Sequence, residues 1–345
     1  MVSLMIRIMR FFIALLVFGS LLIGLVSRWF IPSYFPQFQD SFYMVYLVFE
    51  HIVRGILIIG GAFLVYALTL GVRKKPSMRR ISVLGFSISA LILLCLLPVA
   101  SGFWEYYNVL MPFPWSTFPL QLLYDGRFFS ADLQGAFDGN GVSVLLLVYG
   151  VFNAAVFLVV FLFGRRFFCS MVCMNFGAHA ETLKEGFPLF GSRERMKHQL
   201  MPKIKRVLGT AKWIFLGANL TLLFLWGALL AGADLSAAAL RTVELMKYMI
   251  FELFFVLFAF SALSGRTYCY YCPAGTVISL AGRASGHCIR TDRSVCSGCG
   301  RCNDACDMQI DIRGYAEKGE AVTSLLCVGC GACVDSCPVN ALIYR

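Results

Sequence analysis

Charge is scarce in this chain. Asp, Glu, Lys and Arg make up 14% of its 345 residues, against roughly 25% in soluble globular domains. Hydrophobic residues reach 59%, above the roughly 45–50% usual there. So few charges cannot cover the surface of a soluble protein of this size, so a disordered chain, a secreted disulfide scaffold and a plain cytosolic enzyme are all excluded. Also missing are a nucleotide-binding loop, a nucleophile–base pair and a flavin motif, so no catalytic residue is assigned. The net charge of +11 comes with no motif that reads a nucleic-acid groove. Basic loops of a membrane protein account for it, and nucleic acid is not an expected partner.

What is present is a series of long apolar runs. Six are long enough for a spanning helix of about 20 residues: roughly 8–27, 44–70, 81–101, 143–163, 211–231 and 245–263. The first follows Arg7 and Arg10, as a secretory signal would. Its apolar run is long for that, and no clear small-residue cleavage site follows, so it is expected to be retained. Basic residues collect between the second and third runs (Arg73, Lys74, Lys75, Arg79, Arg80). They collect again between the fourth and fifth (Arg165, Arg166, Lys184, Arg193, Arg195, Lys197, Lys203, Lys205, Arg206). The alternate loops hold few, and by the positive-inside bias both termini are expected to be cytoplasmic. The aromatic loop from Phe103 to Asn140, with Trp104 and Trp115, reads as an interfacial belt or as a partner-docking surface; the belt is the expectation. The fold class is therefore an all-α polytopic membrane bundle of about six transmembrane helices, residues 1–285. It is followed by an α+β two-cluster bacterial-type ferredoxin domain, residues 286–345.

Eight of the 14 cysteines fall between Cys296 and Cys337. Cys296, Cys299, Cys302 and Cys306 read C-x2-C-x2-C-x3-C, and Cys327, Cys330, Cys333 and Cys337 repeat it before Pro338. In such runs three cysteines on a tight loop serve one [4Fe-4S] cluster and the fourth, already on a helix, serves the other. The expected sets are Cys296, Cys299, Cys302 and Cys337 for one cluster, and Cys327, Cys330, Cys333 and Cys306 for the other. Zinc ribbons want two C-x2-C knuckles separated by a longer loop, which these runs are not. Asp307 stands where the first run would carry Pro.

A second repeat closes two of the apolar runs. Gly164-Arg165-Arg166-Phe167-Phe168-Cys169 leads to Cys173, and Gly265-Arg266-Thr267-Tyr268-Cys269 leads to Cys272. These four cysteines are candidates for a third redox centre at the membrane edge. The rival readings are a pair of redox-active dithiols and small buried hydrophobes. Cys272 is followed by Pro, not His, which excludes a c-type haem. Cys95 and Cys288 are expected to be packing residues. Ionisable residues inside spans are costly and point to function. Glu50, His51, Arg54 and Glu252 are such residues, and a quinone site is one reading of them. The other is a Glu50–Arg54 pair, four apart, that neutralises itself.

From Phe161 to Arg345 the chain resembles the NapH/NosR/CcoG-type membrane ferredoxin proteins of bacterial respiratory chains. The resemblance is carried by the two Gly-Arg-x-aromatic-Cys exits and by the terminal ferredoxin run. Met174 stands where the family's first membrane motif carries Pro, and the second motif is one residue shorter. The resemblance implies a multi-pass protein of the bacterial inner membrane. Such a protein moves electrons between the quinone pool, or a cytoplasmic donor, and a partner redox protein. It acts as an electron-transfer subunit rather than a stand-alone enzyme. An accessory protein that reduces a metal ion or a disulfide during assembly of a respiratory enzyme is the alternative. A membrane-anchored redox sensor is a third.

Overall fold

The computed structural model describes residues 2–26, 30–70, 77–101, 112–115, 117, 120, 121, 124, 141–190 and 201–344. The loop 103–140 therefore lies outside the described residues except at those few positions, as do the basic stretches 71–76 and 191–200. Five helices are long and apolar enough to cross a membrane. They are α1 (Val2–Leu25), α2 (Ser41–Leu68) and α3 (Met78–Ala100) and, after α4 (Gly141–Phe163) and α5 (Gly177–Thr182), α6 (Met201–Leu230) and α7 (Ala237–Ala262). The expected run at 143–163 falls in α4, whose apolar stretch is the shorter Tyr149–Phe163. Every one of these six helices starts earlier than its apolar run, α6 and α7 by the most. α6 is described from Met201, and its first turns carry Lys203, Lys205 and Arg206; Lys205 reaches the carbonyl of Gln309. α7 begins at Ala237 because the Ser236 hydroxyl accepts from the Ala239 amide at 3.3 Å, a standard N-cap.

Three of the long helices widen locally into π turns, among them Phe49–Val53 in α2, Ala90–Leu96 in α3 and Tyr248–Phe254 in α7. Such turns break the regular hydrogen-bond ladder and recur at functional sites. Past the bundle, α8 (Pro273–Ala284) starts with Pro at its first position, where no amide is needed, and Cys272 as its cap. The C-terminal domain then pairs β1 (Ile289–Thr291) antiparallel with β2 (Leu342–Tyr344), Ile289 opposite Tyr344. Between the strands lie α9 (Arg301–Ala305), α10 (Ile312–Lys318) and α11 (Ala332–Ser336). The two cysteine runs fold alike. Gly298 and Gly300 take φ of 66° and 75°, and Gly329 and Gly331 take 70° and 76°. These left-handed angles favour glycine and wind each loop tightly before its short helix.

The C-terminal domain is docked on one end of the bundle. The first amides of α3 have no partner within their own helix, and the domain supplies one. Asp335 accepts from the Met78 and Arg79 amides at 2.8 and 3.0 Å and from the Ser77 hydroxyl at 2.5 Å. The carboxylate also faces the positive end of the helix dipole. Gly331 presses so close that a Cβ there would stand 2.5 Å from the Met78 Cβ. One buried cluster runs without a break from Val160 through Tyr268 and Ile278 to Ile289, Val328 and Leu342. Asp335→Ala should therefore lower the thermal stability of the detergent-solubilised protein, by about 1–2 kcal/mol for a lost cap. An unchanged melting temperature would show that the contact does not stabilise the dock.

Candidate redox sites

The structure brings the ferredoxin cysteines into two separate cavities. Cys296, Cys299, Cys302 and Cys337 line one. Cys306, Cys327, Cys330 and Cys333 line the other, together with Glu181 and Arg266 of the membrane part. The fourth cysteine of each run lies with the first three of the other. The two cavities differ in surroundings. Cys299 is exposed, and hydrogen bonds from the Arg301 amide and Ser297 draw its thiol below the usual range. Burial pushes Cys306, Cys327 and Cys330 up to about 11. Metal binding must displace those protons. Among the described residues, no three of His, Cys, Asp or Glu are gathered to hold a single metal ion.

The segment between α4 and α6, expected as a basic loop, is instead packed in from its start. After Gly164 it makes a π turn at Phe168–Val172, then α5, every residue of which is buried. Arg266 locks this plug to the exit of α7. Its Nη2 sits 2.7 Å from Glu181, with both side chains 2% exposed, and its Nη1 donates to the Cys169 carbonyl at 2.9 Å. Lys184, counted above with the loop charges, is buried and pairs with Asp307 at 2.7 Å. This accounts for the residue that replaces Pro in the first ferredoxin run: Asp307 binds the plug. The opposite face of the second run is held by Arg165, whose Nη1 donates to the Leu325 carbonyl at 2.6 Å, and by Ser170, which donates to the Val328 carbonyl at 2.9 Å. The Cys306 set therefore faces the helical part of the chain, and Cys299 is exposed.

The membrane-edge cysteines share one neighbourhood. Cys169 and Cys272 belong to the same buried cluster, and Cys173 and Cys269 pack against it. Cys269 is held at about 11, chiefly by burial and despite Arg266, with Cys173 and Cys169 adding like charge. Cys272 is raised by burial and then by Cys269, Cys173 and Cys169. Of the expected packing residues, Cys95 lies against Gly55 between α2 and α3.

Above the plug lies a cavity of about 450 Å³. Glu50, His51 and Arg54 line it, as do Trp115, His179, Tyr268 and the apolar Leu257 and Phe260. The side chain of Glu252 lies outside the described residues. Glu50 and Arg54 form the ion pair that their spacing suggests. Arg54 is nevertheless not a headgroup charge, since its Nη2 also donates to the Met174 carbonyl at 3.2 Å. Trp115, expected in an interfacial belt, is buried and stacks beside Tyr268 at 5.4 Å. Sequence reasoning missed His179. It is 1% exposed, and neither ring nitrogen has a hydrogen-bond partner. Its ring stands edge-on to Phe260. Burial, then Arg54, lowers its pKa well below the usual value, so it is neutral. Its position six residues after Cys173 was the available signal.

Residues 295–342 match the family model of the 4Fe-4S dicluster domain. No curated protein and no solved structure matches the chain. The C-terminal part is thus a 4Fe-4S dicluster ferredoxin domain, attached to apolar helices fit to span a membrane.

The Lys184–Asp307 pair can be tested by a double-mutant cycle. Lys184→Met alone strands a largely buried carboxylate and should cost about 3 kcal/mol. Adding Asp307→Pro, the residue that follows the second run, should recover most of that. Thermal melts of the four proteins decide it, and equal losses in the single and double variants would deny the pairing.

Proposed function

We propose that this protein is a membrane electron-transfer protein. It moves electrons between a lipophilic two-electron carrier of the quinone class, seated in the 450 Å³ cavity, and a redox partner that docks over Cys299. The observation that carries the reading is the asymmetry of the two ferredoxin cavities. One includes Glu181 and Arg266 of the membrane part in its wall, while the other ends at an exposed cysteine. In this reading Cys306, Cys327, Cys330 and Cys333 hold the inner [4Fe-4S] cluster, and Cys296, Cys299, Cys302 and Cys337 hold the outer one. The donor set suits them: the Ala341 amide donates to the Cys337 sulfur at 3.3 Å, and the Gly329 and Ala332 amides meet Cys327 and Cys330. Such N–H donors tune cluster potentials. Bound there, the clusters would each take or give one electron.

The quinone class follows from the cavity's chemistry. An apolar wall (Leu253, Val256, Leu257, Phe260) suits a lipid-soluble ring, and polar groups at one side suit its oxygens. A quinol releases two protons with its two electrons, so a proton acceptor is required. His179 is neutral, buried and without a partner, and can accept one. Glu50 is already engaged by Arg54. His179 sits on α5, whose Glu181 reaches the wall of the inner cavity, so the proton and electron sites share one short helix. The ferredoxin domain and both termini belong on the cytoplasmic face of a bacterial inner membrane in this reading, which the basic loops support.

Two outcomes are expected. With chemically reduced protein, a short-chain quinone analogue should reoxidise the cluster absorbance. His179→Ala should slow that reaction about 100-fold, as for a lost acid–base group, with iron content unchanged. Equal rates would remove His179 from the reaction, and no reoxidation by any quinone would remove the carrier. Cys337→Ser should abolish one cluster's electron paramagnetic resonance signal and leave that of the Cys306, Cys327, Cys330 and Cys333 set.

A further inference from the structure

We propose that Cys169, Cys173, Cys269 and Cys272 hold a third iron–sulfur cluster at the membrane edge, with Arg165 as its counter-cation. The cluster would be additional to the two of the ferredoxin domain, and its ligands lie outside the segment that matches the dicluster family.

The first argument is charge. Arg165 is 7% exposed. Its Nε donates to the Cys169 sulfur at 3.3 Å, and its Nη1 donates to the carbonyls of Leu325 and Cys327. Among the described residues no carboxylate pairs with it. A cation taken out of water needs an anion. Neutral thiols or a disulfide offer none, whereas cluster-bound thiolates do. Arg266 holds the same place in the second exit, although Glu181 already neutralises it. Its Nη1 is 4.0 Å from the Cys269 sulfur and 2.9 Å from the Cys169 carbonyl, so a single guanidinium nitrogen touches both cysteine pairs.

The second argument is donors. Each of the four sulfurs is met by N–H: Arg165 at Cys169, the Phe176 and Gly177 amides at Cys173, Arg266 at Cys269, and the Gly275 amide at Cys272 at 3.2 Å. The Gly275 amide is one of the unpaired N–H groups that open α8, which favour negative charge. The ferredoxin sulfurs are dressed in the same way, and a neutral thiol is too weak an acceptor to explain it.

The third argument is size and place. A single tetrahedral ion would draw sulfurs to roughly 3.8 Å apart, from bonds of about 2.3 Å, and no such group exists among the described residues. The ferredoxin sets likewise form no single-ion group, so this absence does not separate the edge cysteines from cubane ligands. Gly177 lets the first pair's loop close tightly: a Cβ there would meet the Cys169 carbonyl at 2.8 Å and the Cys173 Cβ at 3.2 Å. The site also stands between the large cavity and the inner ferredoxin set. Arg54 ties the cavity to Met174, beside Cys173, and Arg165 joins Cys169 to the backbone of Cys327. A one-electron step between the edge and inner clusters oxidises one and reduces the other and moves no proton.

Iron and acid-labile sulfide per chain, measured on protein purified anaerobically in detergent, test this. About twelve irons are expected, against about eight for the ferredoxin domain alone. In Cys169→Ser/Cys272→Ser the count should fall by about four, with both ferredoxin signals kept. Arg165→Gln should lower the reduction potentials of the edge and inner clusters, whose ligands Cys169 and Cys327 it meets, and leave the outer one within error. A wild-type protein with about eight irons and both ferredoxin signals would overturn the third cluster and leave the electron-transfer reading standing. One zinc with about eight irons would replace the cluster by a single ion and overturn it equally. Fewer than about eight irons, with the ferredoxin signals themselves absent, would fall on the proposed function instead. The wild-type count does not depend on whether any variant folds.

Discussion

A guanidinium and a carboxylate, both almost wholly removed from water, hold this molecule together. Arg266 leaves α7 and meets Glu181 of α5. The same guanidinium caps the Cys169 carbonyl. Separating two such groups would leave a bare charge in the interior, which costs several kcal/mol, so the plug cannot drift from the helix exit. α5 in turn fixes the floor of the large cavity through His179 and the wall of the inner ferredoxin cavity through Glu181. The cavity, the membrane-edge cysteines and the docked ferredoxin domain are arranged about that ion pair.

Acidic residues also set how the ferredoxin domain sits. Asp307 follows the first cysteine run and Asp335 precedes the end of the second. One binds Lys184 of the plug and the other completes the first turn of α3. The pseudo-symmetry of the two runs thus becomes an asymmetric dock. The cavity walled by Cys306, Cys327, Cys330 and Cys333 turns inward, and the loop of Cys299 turns outward. Arg79 reinforces this edge by bridging Glu181 and Glu185.

Much of this architecture was legible in the sequence because it is written in spacing. Eight cysteines in two identical runs leave little freedom, and the four-residue step from Glu50 to Arg54 gives their pair. Apolar runs located the long helices to within several residues. Their starts moved where polar residues prolong a helix beyond its apolar part, as Lys205 and Ser236 do. The plug was not legible. Its charges read as a solvated basic loop, because Lys184 and Glu181 are buried only by virtue of partners 123 and 85 positions away in the chain. His179 was hidden for the same reason: a lone His carries no periodic signal, and its importance lies in what fails to surround it. Trp115 read as an interfacial aromatic until its contact with Tyr268 placed it inside.

The cap on α3 ties two distant stretches of the sequence into one unit. The helix that starts at Met78 borrows the acceptor for its opening amides from Asp335, 257 and 256 positions away in the chain. Asp335 stands on α11, the short helix that also bears Cys333. A shift of that helix is therefore felt at the first turn of α3, and a strain on α3 is felt at a cysteine of the second run.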